Sequence, residues 1–407
     1  MRYSGSVYLY VLASSMLIAT IGLGSMYAVR VEMRSTRLAR DQAEARACAV
    51  SAVELGLFQV QQDPNWRTTW PDGTWLEDED LGTGCITLQG IDPIDGTLSD
   101  SEYEPLVLTG IGVKGIARHK TQVTLVPDIE PLEVLNACLH ASGLLHVTGG
   151  KSITVVGGVI STNGQLDNEG TIDGSVEAQS VNRTGTITGT LLAPASTKRM
   201  PAAGVIADYI SRATVVPYSG TIDKQVLGPG CNPWGPTDPN GLYFIDTQGN
   251  DLTIRNSRIY GTLIVRTTTK RLILDDSILI QSCRPDFPAL IVEGNAEIKH
   301  HSFSQVLSES AEGTNFNPVG AAYLDASDED LTDQYPNEIQ GLVHITGSLV
   351  LKDTARIKGT VICEGSVSCE DTNTIILMPS LSACPPAGYT YAEQMRISPG
   401  SWRRVVD

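Results

Sequence analysis

The sequence predicts two parts of different class: an α+β N-terminal part, made of a long helix and a small antiparallel sheet, followed by a right-handed β-helix. Three observations carry this. An uncharged apolar run near the N-terminus passes without a break into an amphipathic helical pattern. Three β-branched words then lie between Gly, Pro and Asp. Past Pro131 come many short strand words with small residues at their ends, and no helical period between them. Composition agrees, because 41% hydrophobic but only 6% aromatic residues make the apolar content mostly aliphatic and β-branched.

The helix comes first. Residues 7–29 (VYLYVLASSMLIATIGLGSMYAV) carry no charge. At about 1.5 Å per residue such a helix crosses a hydrocarbon core of about 30 Å. A cleaved secretory signal has a shorter apolar region, about 7–15 residues, so the segment reads as a retained anchor. In the continuation Val31, Leu38, Ala45 and Ala52 recur at spacing seven, with Cys48 and Leu55 beside them. They form one apolar stripe on a polar helix, and the stripe needs a partner. Asp63-Pro64 ends the pattern, because the residue before Pro leaves the helical region, which gives an anchor-and-stalk helix over 1–62.

Charge divides the chain in the same place. Residues 1–46 hold six Arg against Glu32, Asp41 and Glu44, a balance of +3, so the net charge of -17 leaves -20 on the rest. A body this acidic is a poor clamp for nucleic acid, which needs clustered Lys and Arg.

A short basic leader with Gly5, an uncharged span, and an Arg-flecked continuation ending in AEARACAVSAVELGL resemble the N-terminus of type IV pilins, most closely PilX-type minor pilins and pseudopilins. The resemblance covers about the first 60 residues. It implies cleavage by a membrane peptidase between Gly5 and Ser6, methylation of the new N-terminus, and a body outside the inner membrane. It further implies assembly with other pilin-like subunits or with pilus or type II secretion-like components. Pilins usually carry Glu at the fifth mature position, where this chain has Tyr10.

Residues 63–130 are expected to form a small head. They hold Trp66, Trp70 and Trp75, then CITLQGI at 85–91, PLVLTGIGVKG at 105–115 and ARHKTQVTLVP at 117–127. The resemblance implies the same antiparallel α+β head. Between the first two strands DPIDGTLSDSEYE places Asp92, Asp95, Asp100, Glu102 and Glu104 within thirteen residues. Such an oxygen-rich loop suits a hard cation, so Asp92, Asp95 and Asp100 are candidate Ca²⁺ ligands. The plainer reading is a solvated acidic turn, because the spacing fits no defined Ca²⁺ loop.

Residues 131–384 are expected to form the β-helix. TITGTLLA (186–193), RIYGTLIV (258–265) and RIKGTVIC (356–363) share one word, and GTIDGSVEA (170–178) is a degenerate copy. Each coil buries its inward face only against a neighbour, so such words imply stacking. A jelly roll or other sandwich is the competing fold. The segments 227–241 and 302–338 should loop out, and 385–407 should form a C-terminal tail or cap. This part is similar to the β-helical ectodomains that follow PilX-type N-termini, and more loosely to bactofilin-type polymerising β-helices.

Chemistry is sparse. Asp275-Asp276 is the one Asp pair inside a strand word, with His300-His301 downstream. Adjacent strand residues face opposite sides, so two turn carboxylates explain the pair better than catalysis does. No phosphate loop, nucleophile elbow or Cys-x-x-Cys occurs. Cys363 and Cys369 are placed either to form a disulfide between turns or to sit as buried core residues. The reading is therefore a single-pass, membrane-anchored structural protein that is not an enzyme. The alternative is a tethered β-helix that binds or cleaves acidic polysaccharide.

Overall fold

The computed structural model describes residues 4–300 and 306–406. They form two compact units, one of Met1–Glu130 with Ala392–Asp407 and the other of Pro131–Tyr391. The second is thus an insertion in the first.

In the first unit one unbroken helix, α1, runs over Ser4–Gln62, and a four-residue helix, Trp66–Thr69, follows it. α1 contains the one stretch among the described residues that is long and apolar enough to cross a membrane. Along residues 7–29 its apolar side chains are exposed, while Ala45, Ala49, Ala52 and Val53 are fully buried. Only the C-terminal half of the expected stripe docks. Val31 and Leu38 are 48% and 42% exposed, so their half of the stripe has no partner among the described residues.

Four antiparallel strands follow in order, β1 (Gly73–Leu81), β2 (Gly84–Ile91), β3 (Leu106–Lys114) and β4 (Ala117–Pro131). α1 packs on β3, and two glycines make the approach possible. A Cβ on Gly112 would strike the Ala45 carbonyl and the Ala49 nitrogen, and one on Gly110 would strike the Ala49 carbonyl. Behind them Leu88, Leu106, Leu108, Val123 and Leu125 build the core with Val53, Val60 and two tryptophans. Each fully buried side chain of this size stabilises by roughly 1.5–3 kcal/mol.

The closing residues correct the expectation of a tail or cap. Strands Thr390–Ile397 and Arg403–Val405 both pair with β4, completing a six-stranded sheet. A three-residue strand of mostly exposed side chains carries no alternating pattern by which it could be recognised.

The second unit is a large sheet domain, compatible with the expected solenoid, whose strands run in three parallel ladders. In the first, Leu263, Leu290, Val343, Val361, Leu139, Ile160 and Val176 follow one another rung by rung. The second stacks Ile254, Leu274, Ile298, Leu351, Cys369 and Val147. The third stacks Leu227, Ile259, Ile280, Ile339, Ile357, Ile375 and Val155. All three columns meet in one aliphatic core.

The corners explain the repeated words. In the Gly-Thr words the glycine turns the chain into the first ladder, with Gly189 over Gly174, Gly261 over Gly241 and Gly359 over Gly341. At the next corner Gly294, Gly347, Gly365, Gly143 and Gly164 form a continuous stack, each Cβ position filled by the carbonyl of the one before. The third corner uses positive φ at Lys224, Asn256, Asp276 and Asp353 instead, where Asn and Asp tolerate the left-handed region.

The stacking order is not the chain order. Residues 356–376 lie on 137–156, so the layers after residue 214 run back towards the first one. The link between the halves holds a helix, Val205–Arg212, whose Val205, Ile206 and Tyr209 cover the outer side of the first ladder at Leu242, Phe244, Ile264 and Ile291.

The segment 302–338 does not loop out where it is described. Leu307, Phe316 and Tyr335 form a core of their own with Leu279 and Val226. Fully buried Arg258 fastens them, donating to the Phe316 carbonyl at 2.8 Å and to that of Ala322 at 2.7 Å. Segment 227–241 is held likewise, Tyr243 Oη donating to the Gly228 carbonyl at 2.7 Å.

Candidate metal centre

The acidic loop of the head is built from its two ends. Asp92 leaves the end of β2, where its N–H donates to Asp72 Oδ1 at 2.8 Å. Its own Oδ1 accepts from the Ile94 N–H at 2.7 Å, and Asp95 Oδ1 accepts from the Thr97 N–H at 2.8 Å. These two turns fold the loop, and Leu98, 2% exposed, pins it to the core. Glu104 stands two residues before β3.

From the helix side Arg67 clamps the same loop. Its guanidinium donates to the carbonyls of Leu98, Glu102 and Glu104, and lies over the Trp66 ring at 4.6 Å. Trp70 stacks on Trp75 at 5.5 Å, and Leu98 of the loop shares one apolar cluster with Trp66 and Trp75.

This folding gathers Asp92, Asp95, Asp100 and Glu104, one oxygen from each, within 4.8 Å of one another. Oxygens so grouped are close enough for one hard cation to reach several of them, Ca²⁺ taking oxygen ligands at about 2.3–2.6 Å. Asp92 is 3% exposed, and its Oδ2, like Glu104 Oε2, is buried with no donor from the protein. A carboxylate oxygen left so is costly unless a proton or cation lies against it. A hydrogen bond shared with Asp92, then burial and the charges of Asp100, Asp92 and Asp95, push the Glu104 carboxyl up to about 7. A cation bound here would therefore compete with that proton near neutral pH.

The three aspartates expected from the sequence are thus brought together. Glu104 joins them and Glu102 does not. Glu104 was visible only as one more acid in the run. Arg67 had no local signal at all, being 31 to 37 residues from the carbonyls it holds.

The other candidates resolve differently. Asp276 occupies a corner at φ 57°, its N–H donating to Asp275 Oδ1 at 3.1 Å, and Asp275 pairs with Lys299 at 3.2 Å. His300 Nδ1 accepts the Arg356 N–H at 3.2 Å, and burial pushes the imidazole down to about 4. His301 lies outside the described residues. At Gly5 and Ser6 the backbone is already helical, and the side chains lie outside the description. All eight cysteines are free thiols. Cys363 and Cys369 belong to the aliphatic core, and burial pushes both up to about 12, which keeps them unreactive.

On the third ladder Thr372, Thr374, Ser152, Thr154, Thr171, Asp173, Thr186 and Thr188 point outward around Asn373, Ile153, Ile172 and Ile187. This strip is all hydroxyl except Asp173, and the adjoining rung of the same face sets exposed Arg356 beside Thr374.

No family model matches the chain, and no curated protein does. Among solved structures it is similar to the competence-associated pilin ComZ from Thermus thermophilus, with 11% identity over 91% of this chain and 98% of that one and a TM-score of 0.35. It is also similar to an ice-binding protein from an Antarctic biological consortium, with 14% identity over 61% and 91% and a TM-score of 0.26. A third is the ice-binding protein of Antarctomyces psychrotrophicus, with 13% identity over 61% and 98% and a TM-score of 0.26.

Proposed function

We propose that this chain is a membrane-anchored, pilin-like structural subunit of the cell envelope, of the PilX-type minor pilin or pseudopilin kind, that holds a right-handed β-helix outside the inner membrane. The observation that carries this reading is the division of α1. One helix exposes an apolar half long enough to span a bilayer and buries its other half as the central element of an α+β head. A soluble protein has no reason to leave residues 7–29 uncovered, since large exposed apolar surfaces mark membrane or partner contacts. The partners proposed are the bilayer and the helices of other pilin-like subunits, reached through Val31 and Leu38 once the chain is cut between Gly5 and Ser6.

In this reading the role is not catalytic. The ion pair of Asp275 with Lys299 and the burial of His300 support that, because neither offers a free acid or base to a substrate. The head loop is proposed to take Ca²⁺ as a clamp. Asp92, Asp95, Asp100 and Glu104 would hold it and so fix the β2–β3 loop against Arg67 and the tryptophans.

The topology has a direct test, because Cys384 is the one exposed thiol among eight. A membrane-impermeant maleimide should label it in cells whose outer membrane alone is opened, and Cys384→Ser should remove most of the label, leaving only what half-buried Cys85, Cys231 and Cys283 take up. Labelling that appears only after the inner membrane is lysed would place the body in the cytoplasm and refute the reading.

A further inference from the structure

The head sheet has two edges of opposite charge. β1 pairs only with β2, so its outer side is open. There Glu77, Asp78, Glu79 and Asp80 follow one another, all exposed, with no cation paired to them among the described residues. Like charges along an open edge prevent indiscriminate strand pairing. They also make that edge selective for a basic partner.

Beyond β4, at the other side, a cleft of about 620 Å³ opens between the sheet and α1. Its lining includes Arg46 of α1, Arg118 and His119 of β4, and Trp402, Arg403 and Arg404 of the closing strand region, and no carboxylate. Burial first, then the charges of Arg404 and Arg46, lower the His119 pKa, as a positive local field requires. The four acids and the four arginines are equal in number. β1 and β4 are three strand spacings apart, about 14 Å, so one head cannot join its own two patches.

The levels of the two patches along α1 agree. The β1–β2 turn is tied to Glu44, which accepts from Thr83 Oγ1 at 2.9 Å, and the cleft is lined by Gln42, Ala43 and Arg46. Copies anchored side by side in one membrane therefore present acid and base at the same height. We infer that a second copy of this chain docks edge to edge on the head, residues 77–80 of one copy entering the Arg46, Arg404 and His119 cleft of the next. The inference rests on the anchored-subunit reading above and names its partner. Because the two patches differ, the contact is heterologous and repeats into an open row.

Two charge-reversed versions of the full-length chain test this in membrane nanodiscs or detergent. One carries Glu77→Lys with Glu79→Lys, the other Arg46→Glu with Arg404→Glu. The unmodified chain should self-associate at about 0.1 M salt and lose roughly tenfold in affinity by about 1 M, where the screening length falls from about 10 Å to about 3 Å. Each variant alone should remain unassociated, since one of its two patches then has no net charge, two groups of each sign standing where four of one sign stood. An equimolar mixture should assemble again, because each variant supplies what the other lacks. Recovery on mixing also shows that both variants fold.

Association untouched by either reversal would overturn the docking. So would an effect of the arginine reversal alone with no recovery on mixing, the result expected if an anionic lipid headgroup fills the cleft. If mixing restores assembly while the native chain is not processed at Ser6, the docking stands and the pilin reading falls. If the native chain is processed at Ser6 and mixing restores nothing, the pilin reading stands and the docking falls.

Discussion

Gly112→Val is expected to detach the stalk from the head. The new side chain would meet the Ala45 carbonyl, the Ala49 nitrogen and, at 2.8 Å, Cys48 Cβ. These atoms belong to the backbone of a continuous helix or sit directly on it, so they cannot step aside as the end of a flexible side chain can. The helix must move away from β3 as a body, uncovering Ala45, Ala49, Ala52 and Val53 together. Overpacking typically costs 1–3 kcal/mol, and a rigid neighbour puts this site at the upper end, about 3 kcal/mol. Thermal unfolding in detergent and proteolysis of the head should both report it. Gly24→Ala is the contrast, since nothing lies within 4 Å of that position and alanine is the better helix former. Equal head stability in Gly112→Val and the unmodified chain would mean that the packing of α1 on β3 is wrongly described.

Calcium should stabilise the head above neutral pH and lose its effect in acid. The sign follows from Glu104. Its carboxyl is raised from 4.5 to about 7 in the folded head, so the folded state holds the proton more tightly than the unfolded one. Without a cation that contribution is fully present below 4.5 and is lost as pH rises through about 7. Calcium needs the deprotonated form and takes over where the proton leaves. At pH about 8 and a hundredfold excess over Kd, linkage gives about 2.7 kcal/mol, a rise of roughly 5–10 °C in Tm. At pH about 5 the shift should be small, and Asp92→Asn should remove it at both. Calorimetry with and without EDTA decides, and a shift of the same size at both pH values would contradict the competition at Glu104. The full chain must be used, because the head sheet is completed by residues 392–407.

What could be read from residues alone follows the range of the interactions. The Gly-Thr words were legible as corners, since a Gly that lets two backbones touch is a local requirement. Equally legible was the run of apolar residues after each, because the first ladder is covered on its outer side too and its strands are apolar on both faces. The order of the layers was not legible. Every layer offers the same aliphatic columns, so nothing in residues 356–376 announces that they lie on 137–156. The aspartates of the head loop stood out by density, whereas Arg67, which holds that loop in shape, is joined to it only by the fold. The closing Trp402, Arg403 and Arg404 read as a tail or cap because the strand that joins them to the sheet is short and pairs through backbone.

The most direct test of the account is the N-terminal residue of the chain isolated from its native membrane, read by intact mass and sequencing. A pilin-like subunit should begin at Ser6, cut after Gly5 and carrying a methyl group. A chain that still begins at Met1, or that begins near Val29 with its apolar segment gone, would contradict it.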